Sequence, residues 1–181
     1  HSDMKLTGSL STKDLDDVII IAWPDADLNS DSNTSRSHSR CWVEITANGR
    51  SFPLTWYSKR QDSTATHTCE AETVSLATCL KETFSMQDLF SVVLNRVVPM
   101  VIKEDNSAAR IACTKGYSPA MRYLKRTQRV CIGFISDTVN DPENEISIEQ
   151  APTATHKGDV FTKALGHADL NSALARLGMT C

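Results

Sequence analysis

No apolar stretch in this 181-residue sequence approaches the ~20 residues that span a bilayer; the longest, Val18 to Trp23, is strand-sized. A membrane-embedded helix, and a membrane as partner, are therefore not expected. His1 to Leu10 hold neither a basic region nor an apolar run, so no secretory signal is expected. The six cysteines include no Cys-x-x-Cys pair and no histidine at zinc-finger spacing, which argues against a zinc module and against a disulfide framework. Reduced thiols in an intracellular compartment, cytoplasm or nucleus, are the expectation. The net charge of −3 gives no general excess of positive charge for nucleic acid. No internal repeat and no long linker divides the chain. Residues 17–181 read as one domain large enough to bury a core. Residues 1–16 read as an N-terminal extension or vector-derived scar, because the chain begins at His1 rather than Met.

What the sequence does hold is a set of acids at the edges of predicted elements. Val18 to Trp23 is β-branched and continuous, as in a strand buried on both sides; Pro24 is expected to end its pairing and leave Asp25 at its carboxyl end. Asn29 to Arg40 reads as a polar loop, and Cys41 to Thr46 as a second strand. Asn48-Gly49 signals a tight turn before a third strand, Phe52 to Ser58. Trp23, Trp42 and Trp56 fall in these strands and are expected in the core.

Ala71, Val74, Ala77, Leu80 and Phe84 form the apolar stripe of a helix capped near Thr68, with Glu72 in its first turn and off the stripe. Glu70 lies about 200° away on such a helix, so only one of the two glutamates can face the end of the sheet. A second helical stretch is expected through Leu89 to Val97, then a strand, Met100 to Lys103. Asp105 follows, leading into a helix from Asn106 to Lys115 capped by Gly116. A helix from Pro119 to about Ser136 would carry Arg122, Lys125, Arg126 and Arg129 on one face, as a phosphate-tracking stripe or a solvated surface. A strand, Glu145 to Gln150, precedes Asp159 and terminal helical segments running through Val160 to Leu165 and Leu170 to Leu177. The order is β-β-β-α-β-α-α-β-α. Four carboxylates gathered at strand ends would repel one another unless cations sat among them, and such oxygen donors suit Mg²⁺ or Mn²⁺.

This order resembles the ribonuclease H fold, and local phrases resemble the ribonuclease H domain of Copia-type long-terminal-repeat retrotransposons. Trp23-Pro24-Asp25-Ala26-Asp27 is similar to that family's Ser-Asp-Ala-Asp, and Ser35 to Ser39 to its Arg-Lys-Ser-Thr-Ser. Leu54 to Gln61 resembles Ile-Ser-Trp-Ser-Ser-Lys-Lys-Gln, and Cys69-Glu70-Ala71-Glu72 resembles Thr-Glu-Ala-Glu. Glu104 to Ala108 is similar to Cys-Asp-Asn-Gln-Ser-Ala, and Gly158 to Leu165 to Ala-Asp-Ile-Phe-Thr-Lys-Ala-Leu. The chain departs from the pattern at Arg40, where the family has glycine, at Thr73, where it has tyrosine, and across Met121 to Phe134.

The resemblance implies an α/β domain with a five-stranded mixed sheet, three antiparallel strands and then two parallel, flanked by helices. It implies an endonuclease that cuts the RNA strand of RNA–DNA hybrids with two Mg²⁺ or Mn²⁺ ions. Asp25 would bridge both ions, Glu72 and Asp105 would hold one, and Asp159 the other. Asn106, Gln61, Lys59, Arg60 and Lys163 become candidates for contacting substrate, and Asp27 a supporting or capping group. His156, one helical turn before Asp159, is read as a solvent-exposed loop residue rather than a helper in product release. A reverse transcriptase domain in the same polyprotein is the implied partner, and a virus-like particle a possible location. An inactive or domesticated copy, or a DNA-directed nuclease of the same fold, are the alternatives.

Overall fold

The computed structural model describes residues 4–161 and 167–180. Its strands are β1 (Lys5–Leu6), β2 (Ile19–Asp27), β3 (His38–Ala47), β4 (Arg50–Arg60), β5 (Met100–Glu104), β6 (Ile146–Gln150) and β7 (Met179–Thr180). Its α-helices are α1 (Thr68–Leu94), α2 (Ser107–Lys115), α3 (Leu124–Thr127), α4 (Ile132–Asn140) and α5 (His167–Arg176). The main sheet has the order β4-β3-β2-β5-β6: β2, β3 and β4 run antiparallel, while β5 and β6 run parallel to β2. That is the mixed five-stranded sheet expected from the sequence. β1 and β7 pair separately, Lys5 opposite Thr180, and Arg50 closes on the buried Asp14 at 2.7 Å.

β2 is flanked by an antiparallel neighbour on one side and a parallel one on the other. The carboxyl ends of β2 and β5 therefore emerge together, the place where parallel sheets leave a crevice. Pro24 does not end β2, contrary to expectation: it sits opposite Cys41, and pairing to β3 continues to Asp27. Ile20 N–H donates to Pro99 O on the β5 side. Alternate residues face the same way, so the missing N–H of Pro24 lies beyond the last β5 partner, Ala22, and no ladder bond is lost. The turn between β3 and β4 uses Asn48 at φ 50° and Gly49 at φ 76°, the pair of positive angles that a two-residue hairpin needs.

Period-two alternation sorts the sheet's faces. Ile20, Ala22, Cys41, Val43 and Ile45 are buried in the core with Leu76, Cys79 and Leu80 of α1. Trp23, Asp25, Trp42 and Glu44 take the opposite face, Trp23 directly opposite Trp42. Trp42 is buried and Trp56 stacks on it at 5.9 Å, but Trp56 is 53% exposed and is not a core residue.

Two helical expectations change. The stretches around Leu80 and Leu89 are one 27-residue helix, because no glycine or proline interrupts them; Asn95, at φ 51°, ends it. The basic helix is not continuous: a 3₁₀ turn (Pro119–Met121), α3 and α4 replace it, with Arg129 at φ 56°. Leu124 and Val130 are both buried. Six residues advance about 240° around a helix, so one straight helix could not turn both inward. The break does so, and the continuous helix expected to carry the basic stripe does not form. Cys41, Cys69, Cys79, Cys113 and Cys131 are free thiols, and no described helix is long and apolar enough to cross a membrane.

Candidate metal centre

Three elements deliver carboxylates to the open end of β2 and β5. Asp25 is 4% exposed, and its backbone carbonyl accepts a 2.8 Å hydrogen bond from Ser75 Oγ, which fixes α1 over the strand end. Glu72, one turn nearer the start of α1, is equally buried and accepts the Ala26 N–H. Asp105 follows β5 directly and is half-buried. One oxygen from each of Asp25, Glu72 and Asp105 lies within 4.8 Å of the other two. Asp25 also belongs to a second group on the same scale, with Asp159 and His156, all three buried. The structure thus brings the four predicted acids into two triads that share Asp25.

Asp159 comes from a 3₁₀ turn, Gly158–Phe161, far along the chain. A partly buried ion pair holds this segment against the sheet: Lys157 Nζ lies 2.6 Å from both oxygens of Glu44, to which Trp23 and Trp42 also donate through their indole N–H groups. Those extra donors satisfy a carboxylate whose desolvation would otherwise be costly. Gly158 permits the approach. A Cβ there would stand 2.8 Å from Asp25 Cβ and 2.8 Å from Trp23 O.

The electrostatics are those of crowded acids. Burial, then the charges of Glu104, Asp25 and Asp105, push Glu72 up to about 10. Glu104, which sequence reasoning passed over in favour of its neighbour, is fully buried and held well above the carboxylate range, first by burial. Alternation could have found it: Met100, Ile102 and Glu104 are the buried positions of β5. Glu104 Oε1 accepts the Asn106 N–H at 3.0 Å, whereas Oε2, like Glu72 Oε2, is buried without a hydrogen-bond partner. Orphaned buried oxygens beside a carboxylate triad fit hard divalent cations, whose charge would lower these pKa values again. Asp25, Glu72 and Asp105 would hold one such ion, and Asp25 with Asp159 a second.

The remaining candidates are placed as follows. Glu70 faces away from the triad, bound by Thr66, Tyr123 and Gln128. Asp27 pairs with Arg40 at 2.8 Å, so the arginine at the glycine position neutralises the second acid of the opening phrase. Asn106 caps α2 through Ala109 N–H, and Gln61 is buried, donating to Ser39 Oγ and Ala71 O. Lys59 pairs with Glu82 and Arg60 with Asp31 at the surface. Lys59, Arg60, Lys81 and Arg129 line one groove beside Gln61. Lys163 lies outside the described residues. His156 is not the exposed loop residue expected from sequence: it is 0% exposed, under the edge of Trp23.

No protein-family model matches this chain, and no curated protein matches it. Among solved structures it is similar to the N-terminal ribonuclease H domain of Rv2228c from Mycobacterium tuberculosis, studied as a fusion with maltose-binding protein. The TM-score is 0.53 at 12% identity, over 87% of this chain and 97% of that one. It is also similar to the PFV ribonuclease H domain, at TM-score 0.44 and 11% identity over 89% and 90% of the two chains. A third similarity is to the NurA nuclease of Sulfolobus solfataricus, at TM-score 0.39 and 8% identity over 97% and 44%. The first of these shows a ribonuclease H-like fold for this chain.

Proposed function

We propose that this chain is a divalent-metal-dependent endonuclease that cleaves the RNA strand of RNA–DNA hybrids, and that it serves a Copia-type retroelement beside a reverse transcriptase domain. One observation carries the reading: Asp25, Glu72 and Asp105 meet within 4.8 Å, and Asp25 is shared with Asp159. The retroelement assignment rests on the sequence phrases around those acids. Two divalent cations, when bound, supply an activated water and neutralise the leaving 3′ oxygen, so no histidine base is required. The carboxylates position that chemistry, and the Glu44–Lys157 pair keeps the Asp159 segment in reach of Asp25. Lys81 and Arg129 line a groove with Asp62 and the ion-paired Lys59 and Arg60, and offer positive charge for a phosphate backbone. Recognition of a hybrid also needs contacts with 2′-hydroxyls in its minor groove.

Cleavage of labelled hybrid and of duplex DNA in Mg²⁺ tests this. Hybrid should be cut in preference, and Asp105→Asn should lower the rate on the order of 10²–10³-fold, since several kcal/mol of transition-state stabilisation pass through each ligand. Preferential cutting of duplex DNA would assign a DNA-directed nuclease instead. No cleavage of either, with the chain folded, would leave a binding module.

A further inference from the structure

His156 is a buried group that the four-acid reading does not use. Its Nε2 lies 2.8 Å from the Lys103 carbonyl oxygen. A carbonyl can only accept, so Nε2 carries the proton in that bond and Nδ1 of the neutral ring presents a lone pair. Nδ1 is buried and has no hydrogen-bond partner, and a ring nitrogen of His156 lies within 4.8 Å of ligand oxygens of both Asp25 and Asp159. The ring is fixed from other sides as well. Trp23 meets it edge-on at 5.5 Å, and a Cβ on Gly158 would come within 2.9 Å of its Cε1. A backbone carbonyl on one ring nitrogen, with the other left unpartnered in a ring beside two carboxylates, is how proteins orient a ligating imidazole.

We propose that His156 Nδ1 is a metal ligand and that the two triads are unlike. Asp25, Glu72 and Asp105 form an all-oxygen site suited to Mg²⁺. Asp25, Asp159 and His156 form a mixed nitrogen–oxygen site that favours Mn²⁺, Co²⁺ or Zn²⁺ over Mg²⁺, because imidazole binds those ions better. The assignment rests on the nuclease reading in one respect, that Asp25 ligates metal in both.

Electron spin-echo envelope modulation of the Mn²⁺-loaded chain tests it without reference to activity. Nitrogen modulation should be present in the parent, absent in His156→Gln and retained in His38→Gln. His156→Gln should also weaken Mn²⁺ at its second site by about 10-fold or more, with Mg²⁺ affinity changed by less than about threefold. Saturable Mn²⁺ binding without nitrogen modulation, or modulation surviving in His156→Gln, overturns the proposal while leaving the nuclease reading intact. Absence of any saturable binding overturns both. Should His156→Gln fail to fold, the unsubstituted chain labelled with ¹⁵N-histidine decides: Zn²⁺ should shift Nδ1 of one Nε2–H tautomer, and an unmoved resonance refutes ligation.

Discussion

Asp25→Asn is expected to reduce hybrid cleavage on the order of 10³-fold or more, with no fall in the thermal stability of the metal-free chain. Asparagine keeps the volume that Gly158 and Ser75 are shaped around. It removes the charge common to both triads, and with it one of the charges that push Glu72 and Glu104 upward. Steady-state cleavage and a melting curve of the same preparation check the two halves. Parent-like activity would remove Asp25 from the mechanism; an equal loss of activity and stability would make it a structural residue.

The second large effect is on stability as a function of pH. Glu72 has a folded-state pKa of about 10 against an ordinary 4.5, burial being the first cause. Between those values the native chain holds a proton that the unfolded chain has released. Stability of the metal-free protein therefore falls as pH rises through this window, by up to about 1.4 kcal/mol per pH unit for the one proton. Each kcal/mol corresponds to roughly 2–4 °C in Tm for a chain of this size. Asp14 and Asp31 are shifted downward by hydrogen bonds from Asn48 and Arg60 respectively. In Glu70, burial is outweighed by hydrogen bonds from Thr66, Tyr123 and Gln128. What those three contribute is complete above about pH 5 and adds no slope here. Melting curves from pH 5.5 to 8.5 should descend without metal, descend less steeply in Glu72→Gln because the raised Glu104 still releases a proton on unfolding, and be lifted most at high pH by Mg²⁺. A parent curve that rises over this range would contradict the crowded-acid description.

Much of the centre was legible because its residues sit at element boundaries. β-branched runs located β2 and β5, and their parallel pairing brings Asp25 and Asp105 to one edge. Helix geometry allowed only one of Glu70 and Glu72 at the sheet end, the phrase similarity pointed to Glu72, and the two indeed face different surroundings. Other features depend on contacts no local pattern reports. Glu44 and Lys157 meet across 113 positions, and nothing near either residue announces the other. The burial of His156 likewise depends on distant partners, the Lys103 carbonyl and the Trp23 ring. The continuous basic helix was not borne out because Leu124 and Val130, placed on other faces of it, are both buried, and a straight helix could not turn both inward. Glu104 was passed over because the phrase similarity pointed to Asp105, although alternation along β5 makes Glu104 one of its buried positions.

The central claim is that these side chains form a home for divalent cations. Isothermal titration of the folded chain with Mn²⁺, repeated on Asp25→Asn, addresses it most directly. Saturable binding at two sites in the parent, lost from both in the variant because each triad contains Asp25, is the predicted result. A parent that takes up no ion, or a variant whose titration overlays the parent's, would contradict the account.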